Sequence, residues 1–249
     1  MLETYQDPIY GEIQLDELSD KCIKHPYFQR LKNIKQLGLT YKEFENAIHS
    51  RYEHSIGVAY LCKLAGNHLN LDKKLIILIT IAGLMHDVGH GPQSHLFDNY
   101  LKSIINEKKD YCNHENRSVI ILEKIINDDK DLKLYFSEED KKFINDMITG
   151  EVGNKLNINR CLIELLNNSE SKIDLDKLDY LNRDTFYIDS TIRKLDYIKI
   201  INSMKIIKVN DLYKLCYSCE LIPEINILFE RRFLNHINIY QNLRVKVWE

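Results

Sequence analysis

Apolar residues recur at three- and four-residue spacing along most of this chain, and strict alternation is confined to two short stretches. The spacing predicts a helix over 19–36, opened by Ser19 as N-cap and ended by Gly38, then an irregular segment over 39–50 and a helix over 53–69. Asp72 caps the next helix. Its run from Leu75 to Met85 is apolar on every side, the pattern of a helix surrounded by others. Further helices are predicted over 94–108, 114–127, 137–149, 158–168 and 174–188, with a last one from about residue 224 to the end. The turn Asp7-Pro8-Ile9-Tyr10-Gly11 followed by alternating Glu12-Ile13-Gln14-Leu15 predicts a short N-terminal strand. Two alternating stretches about Asn210-Asp211 predict a small hairpin near 206–217. The expected class is mainly α. Without an internal repeat, a Pro/Ser-rich linker or a low-complexity block, residues 1–249 are expected to form one domain.

Composition narrows the function classes. With 249 residues, 44% hydrophobic and 29% charged, the chain can bury a core without disulfides, and 9 Gly and 4 Pro favour long helices. A net charge of −3 argues against nucleic acid as the main partner but leaves room for a local basic pocket. The 6 cysteines are scattered and no secretion signal precedes them, so an intracellular protein of cytoplasm or nucleus is expected. Cys216-x-x-Cys219 lacks a second Cys/His pair, and two buried strand thiols account for it better than zinc. The run from Leu75 to Met85 is too short to span a bilayer, so no membrane partner is expected.

The candidate chemistry begins at Met85-His86-Asp87-Val88-Gly89-His90-Gly91-Pro92, where glycines and a proline break the apolar helix. His86 and Asp87 offer a nitrogen and a carboxylate oxygen side by side, and the helix break leaves them at the lip of a cavity. His54 and Asp176, each early on its own predicted helix, close a set of two imidazoles and two carboxylates for a divalent ion (iron, manganese, zinc or magnesium). Such a set leaves coordination positions free, as a catalytic site requires. His114, opening a helix, is a candidate proton donor or acceptor, and Asp98 a carboxylate that orients it. His25, His49, His68 and His236 are read as ordinary surface or packed histidines. Asp176, Lys177 and Tyr180 share one helix face.

Three segments carry a family resemblance: Arg51-Tyr52-Glu53-His54-Ser55-Ile56-Gly57, His86 through His95, and Asp174-Leu175-Asp176-Lys177-Leu178-Asp179-Tyr180. With Asp7-Pro8-Ile9, Phe28-Gln29-Arg30-Leu31, Ile34-Lys35-Gln36-Leu37-Gly38 and Tyr240-Gln241, they resemble the HD-superfamily deoxynucleoside triphosphate triphosphohydrolases, and most of all those that also carry a SAM domain. The resemblance implies an HD-domain helical fold and hydrolysis of deoxynucleoside triphosphates to deoxynucleoside and triphosphate. It implies His54, His86, Asp87 and Asp176 as metal ligands, and His90, Asp98 and His114 as the proton-transfer group. Arg51, His95, Lys177, Tyr180 and Arg232 would grip the triphosphate. Gln36 and Asp184 would bond the sugar 3′-hydroxyl, while Leu37 and Tyr240 would crowd a 2′-hydroxyl.

The sequence also departs from that family. No SAM domain precedes the HD segment, and the lobe that helps form the family's regulatory nucleotide sites and tetramer is expected to be absent; homo-oligomerisation is left open. Lys24 stands where the family has an acid that reads a guanine activator, and Glu3 where it has a basic residue, so guanine activation is not expected. Two other readings stay open beside the main one. One is an HD phosphohydrolase acting on another nucleotide, and the other is a silent HD module that binds a nucleotide or nucleic acid.

Overall fold

A computed structural model describes residues 2–105, 110–151 and 158–249. At the N-terminus, β1 (Thr4–Asp7) pairs antiparallel with β2 (Gly11–Gln14), Tyr5 opposite Ile13. The predicted helix over 19–36 is broken into α1 (Glu17–Lys24), α2 (Pro26–Gln29) and a 3₁₀ turn at Arg30–Asn33. Its N-cap is Asp16, not Ser19, with the carboxylate accepting from Leu18 and Ser19 N–H. Pro26 marks the break: its ring disfavours a helical conformation at the residue before it, and His25 is extended at φ −66, ψ 138.

The irregular segment holds a 3₁₀ turn at Thr40–Lys42 and leads into α3 (Arg51–His68). Then come α4 (Lys73–Met85), capped by Asp72 as expected, and α5 (His95–Ile104), which ends short of the predicted 108; residues 106–109 lie outside those described. α6 (His114–Asp128), α7 (Lys130–Tyr135) and α8 (Glu138–Thr149) follow; the short α7 was not anticipated. α9 (Ile158–Ile163) is shorter than expected, whereas α10 (Leu175–Ile188) lies where the spacing predicts it. α11 (Tyr197–Asn202) leads into the predicted hairpin, β3 (Lys205–Val209) and β4 (Leu212–Cys216), with Ile207 opposite Lys214. The thiols differ from expectation, since Cys216 is half-buried and Cys219, past the strand, is exposed.

The predicted terminal helix is interrupted. α12 (Ile222–Asn235) widens into a π turn at His236–Tyr240, and α13 (Leu243–Trp248) starts afresh under an Asn242 cap. Among the described residues, no helix is long and apolar enough to cross a membrane.

α4 forms the centre. Every residue from Ile77 to Met85 is buried, between α3 and α8 with α1 and α6 beside them. Fully buried side chains such as Leu84 and Ile81 contribute about 1.5–3 kcal/mol each. α10 packs on the other side of α3 and against α12. The start of α3, the end of α4 and the start of α10 therefore meet at one place.

Candidate metal centre and catalytic cavity

Local sequence rules fix each arm of the site. A capping box starts α3: Ser50 Oγ accepts from Glu53 N–H at 3.3 Å, and Glu53 Oε2 accepts from Ser50 N–H at 2.7 Å. That sets Arg51 and His54 in the first turn. α4 stops at His86, and the segment after it is clamped by α6, where Ser118 donates to His86 O at 2.7 Å and Arg117 to Gly89 O at 2.8 Å. Gln93 and Ser94 both take positive φ, 61° and 56°, unusual for residues with a Cβ. Against that turn lies Gly38, itself at φ 55°, where a Cβ would stand 2.9 Å from the Gln93 carbonyl oxygen.

His54 and His86 bring their Nε2 atoms within 3.2 Å of each other. Asp176 Oδ1 lies 3.1 Å from the first and 3.5 Å from the second, and Asp87 Oδ2 lies 3.4 Å from both. His54 Nδ1 donates to Asp179 Oδ2 at 2.7 Å and His86 Nδ1 to the Gly83 carbonyl at 2.7 Å, which leaves both Nε2 lone pairs facing the centre. Lone pairs and carboxylates at this spacing can hold a cation. Bonds of about 2.0–2.2 Å to a first-row divalent ion span edges of this size, so the donor set fits one. The same carboxylates act on the imidazoles. Burial opposes charge on His54, yet the carboxylates of Asp176, Asp179 and Asp87 outweigh it and raise its pKa well above the usual value.

Behind His54 runs a chain of buried charge that spacing alone did not reveal. Asp179 accepts two 2.9 Å hydrogen bonds from Arg183, whose Nη1 pairs with Asp7 at 2.9 Å. Asp179 and Arg183 at i, i+4 were a legible helix pair, while Asp7 carried no such signal. α3 makes room for them at Gly57, where a Cβ would sit 2.1 Å from Asp179 Oδ1.

The centre opens into a cavity of about 650 Å³. Arg51, His95, His114, Lys177 and Tyr180 line it near the ion centre. Arg51 pairs with Asp87 and donates to Ser94 Oγ at 2.9 Å; Lys177 is held by Asp174. His114 Nδ1 donates to Asp98 Oδ2 at 2.7 Å, as the sequence suggested, and Arg117, which it did not, pairs with the other oxygen. His90 lies fully buried, stacked on His114 at 3.9 Å, and burial together with the Arg51 charge pushes its pKa well below the usual imidazole value. Gln36, Leu37, Asp184 and Tyr240 line the same cavity, and Arg51 donates to the Gln36 carbonyl at 3.2 Å. The Tyr240 hydroxyl donates to Asp184 Oδ2 at 2.7 Å. Four of the predicted residues are outside the cavity lining: His54, His90 and Asp98 lie behind it against His86 and His114, and Arg232 stands on α12, near enough for its charge to act on the Tyr180 phenol. Two histidines expected to be bland belong to this region. His49 bonds Asp184 and His236 lines the wall.

Two imidazoles and the Asp176 carboxylate gathered from α3, the end of α4 and α10, with Asp87 3.4 Å from both imidazoles, define a class: helical domains with a candidate ion centre at the mouth of a pocket. The HD-domain family model matches residues 51–184, from Arg51 through Asp184, and the chain belongs to that family. It is 31% identical to the deoxynucleoside triphosphate triphosphohydrolase SAMHD1 of Homo sapiens over 97% of this chain and 42% of that protein. Similarity to the SAMHD1 homolog of Dictyostelium discoideum is 34% over 94% of this chain and 45% of that one. An uncharacterized protein, MG461 of Mycoplasma genitalium, is 30% identical over 96% and 56% respectively. The chain thus spans about half the length of the curated relatives it matches.

Proposed function

We propose that this protein is a divalent-metal-dependent phosphohydrolase that cleaves deoxynucleoside triphosphates to deoxynucleoside and inorganic triphosphate. The observation that carries the reading is what lines one cavity. Donors for an ion and the cations Arg51 and Lys177 share its wall with the acceptors Asp184 and Gln36 and with Tyr240 and Leu37. A triphosphate with about four negative charges matches the ion centre and the cations, and a sugar hydroxyl matches the acceptors. The printed names of the SAMHD1 relatives support the same substrate class.

His54, His86, Asp87 and Asp176 would hold the ion, which when bound supplies Lewis-acid polarisation of a phosphoryl oxygen and acidifies water. Arg51, Lys177, His95 and Tyr180 bind and orient the phosphates so that the α-phosphorus faces attack. Water adds there, one of its protons staying on the new phosphate oxygen and the other passing to solvent, and the bond from phosphorus to the 5′-oxygen breaks. His114, its Nδ1 fixed on Asp98 and its Nε2 lying 3.7 Å from Glu115 Oε1, would give that oxygen a proton from Nε2. Neutral His90 supports the His114 ring from beneath. Leu37 and Tyr240 exclude a 2′-hydroxyl, because an added hydroxyl against that wall clashes and loses its hydrogen bonds.

The test is a product assay with purified protein, Mn²⁺ or Mg²⁺, four dNTPs and the matching NTPs. Triphosphate and deoxynucleoside from dNTPs, with NTPs turned over poorly, are the expected result. Monophosphate and pyrophosphate would indicate another HD phosphohydrolase, and comparable rates on ATP and dATP would remove the deoxyribose claim alone.

A further inference from the structure

Asp184 is buried, and each of its carboxylate oxygens is held by a separate residue. Tyr240 donates to Oδ2 at 2.7 Å, and His49 Nε2 meets Oδ1 at 2.7 Å. A carboxylate only accepts, so Nε2 is the protonated nitrogen of His49, and each oxygen of Asp184 keeps a lone pair for a further donor. The His49 side chain is fully buried and its Nδ1 has no hydrogen-bond partner among the described residues, where the bond to Asp184 is the hydrogen bond its ring makes. An imidazole kept for packing alone would gain nothing from an orphaned nitrogen.

The ring plane is fixed from the far side. His49 stacks on Tyr187 at 4.6 Å and 19°, and the Tyr187 hydroxyl donates to Glu53 Oε1 at 2.7 Å. The other oxygen of Glu53 closes the capping box of α3, the turn that carries Arg51 and His54. His49 also reaches Gln36 through its backbone, its carbonyl accepting from Gln36 N–H at 2.9 Å. Gln36 lines the cavity, and its buried Oε1 has no hydrogen-bond partner among the described residues.

We propose that His49 is a positioning residue for sugar recognition: its ring orients Asp184 and its carbonyl anchors Gln36, so that both side chains meet one hydroxyl of the sugar. The inference rests on the proposed function and assigns a role to a residue that the sequence reading set aside. A free carboxylate on α10 has several rotamers, and the hydrogen bond from an imidazole clamped to α3 selects one of them. The distance between the ion centre and the sugar acceptor is thereby set by one rigid turn.

The experiment compares dATP with its 2′,3′-dideoxy analogue, in both turnover and calorimetric binding with metal present. Wild-type protein should favour dATP by tenfold or more. His49→Phe keeps the ring and the stack but loses the N–H; its kcat/KM for dATP should fall roughly tenfold to a hundredfold, most of it in KM, while the dideoxy analogue changes by less than about threefold. His49→Gln, which retains a donor, should recover part of the loss. Tyr187→Phe, a milder change, should show a smaller loss confined to dATP. Equal losses for the two nucleotides, or none for either, would overturn the proposal. Failure of the hydrolytic reading is distinguishable from failure of this one. A wild type that turns over neither nucleotide yet binds dATP more tightly, with the preference gone in His49→Phe, would remove the first and support the second. Wild-type binding with no preference for the 3′-hydroxyl would overturn the inference whatever the turnover.

Discussion

At the scale of single residues, the site separates groups that hold from groups that transfer. His114 is the transfer group, and its Nδ1 is already committed to Asp98. His114→Ala should therefore lower kcat by roughly two to four orders of magnitude with metal content unchanged, measured by turnover and metal analysis on the same preparation. Arg51→Ala should weaken substrate binding along with rate, because Arg51 touches Asp87 and Ser94 at the cavity floor. Asp98 also bears on stability. Burial alone would raise its pKa, but hydrogen bonds from His114 and Arg117 hold it well below the usual carboxylate value. A group depressed in the folded state stabilises above its unfolded pKa of about 3.9, and that contribution is lost as pH falls below it. Denaturant titrations of Asp98→Asn should show a deficit of about 1–3 kcal/mol at pH 7 that shrinks toward pH 3. A deficit that stays constant with pH would contradict the assignment.

At the scale of elements, the meeting of α3 and α10 decides whether the ion centre can form. Gly57→Ala drives a methyl into Asp179 and Arg183, and should lose both metal and stability. Arg183→Met strands two buried carboxylates, Asp7 and Asp179, and should cost about 3–5 kcal/mol in chemical unfolding. A cost below 1 kcal/mol would mean the buried chain carries little. Much of this frame was legible in the sequence. α4, α6, α8 and α10 follow from apolar spacing and polar caps, and His54, His86, Asp87 and Asp176 from ligand chemistry at helix ends. What was missed has physical causes. Pro26 was an available signal that the 19–36 helix must break, and Ser50-x-x-Glu53 an available start for α3. The π turn at His236–Tyr240, whose last residue bonds Asp184 from 56 residues away, had no such local marker. Asp7 and His49 lie 176 and 135 residues from their partners Arg183 and Asp184, and single-sequence periodicity carries no such pairing.

At the scale of the whole molecule, the N-terminal hairpin and α1 bear on regulation. Lys24 and Glu3, whose charges are exchanged relative to the family pattern, close on each other at 2.8 Å. A lysine ammonium offers donors only, and here it is turned to Glu3, from which we predict that guanine nucleotides do not activate this protein through Lys24. Hydrolysis of dATP should be unchanged by GTP, with no GTP-driven assembly in sedimentation; strong GTP dependence accompanied by tetramer formation would contradict this. The central claim is that two histidines and two aspartates from three places in the chain hold one divalent ion on which dNTP hydrolysis depends. Its most direct measurement is a metal add-back titration of stripped protein, wild type beside Asp176→Ala, reading bound ion and triphosphate released from dATP together. The account predicts that wild-type turnover rises in step with about one bound ion per chain, and that Asp176→Ala, with its helicity intact, gains neither ion nor turnover. Full ion binding and full turnover in Asp176→Ala would contradict it.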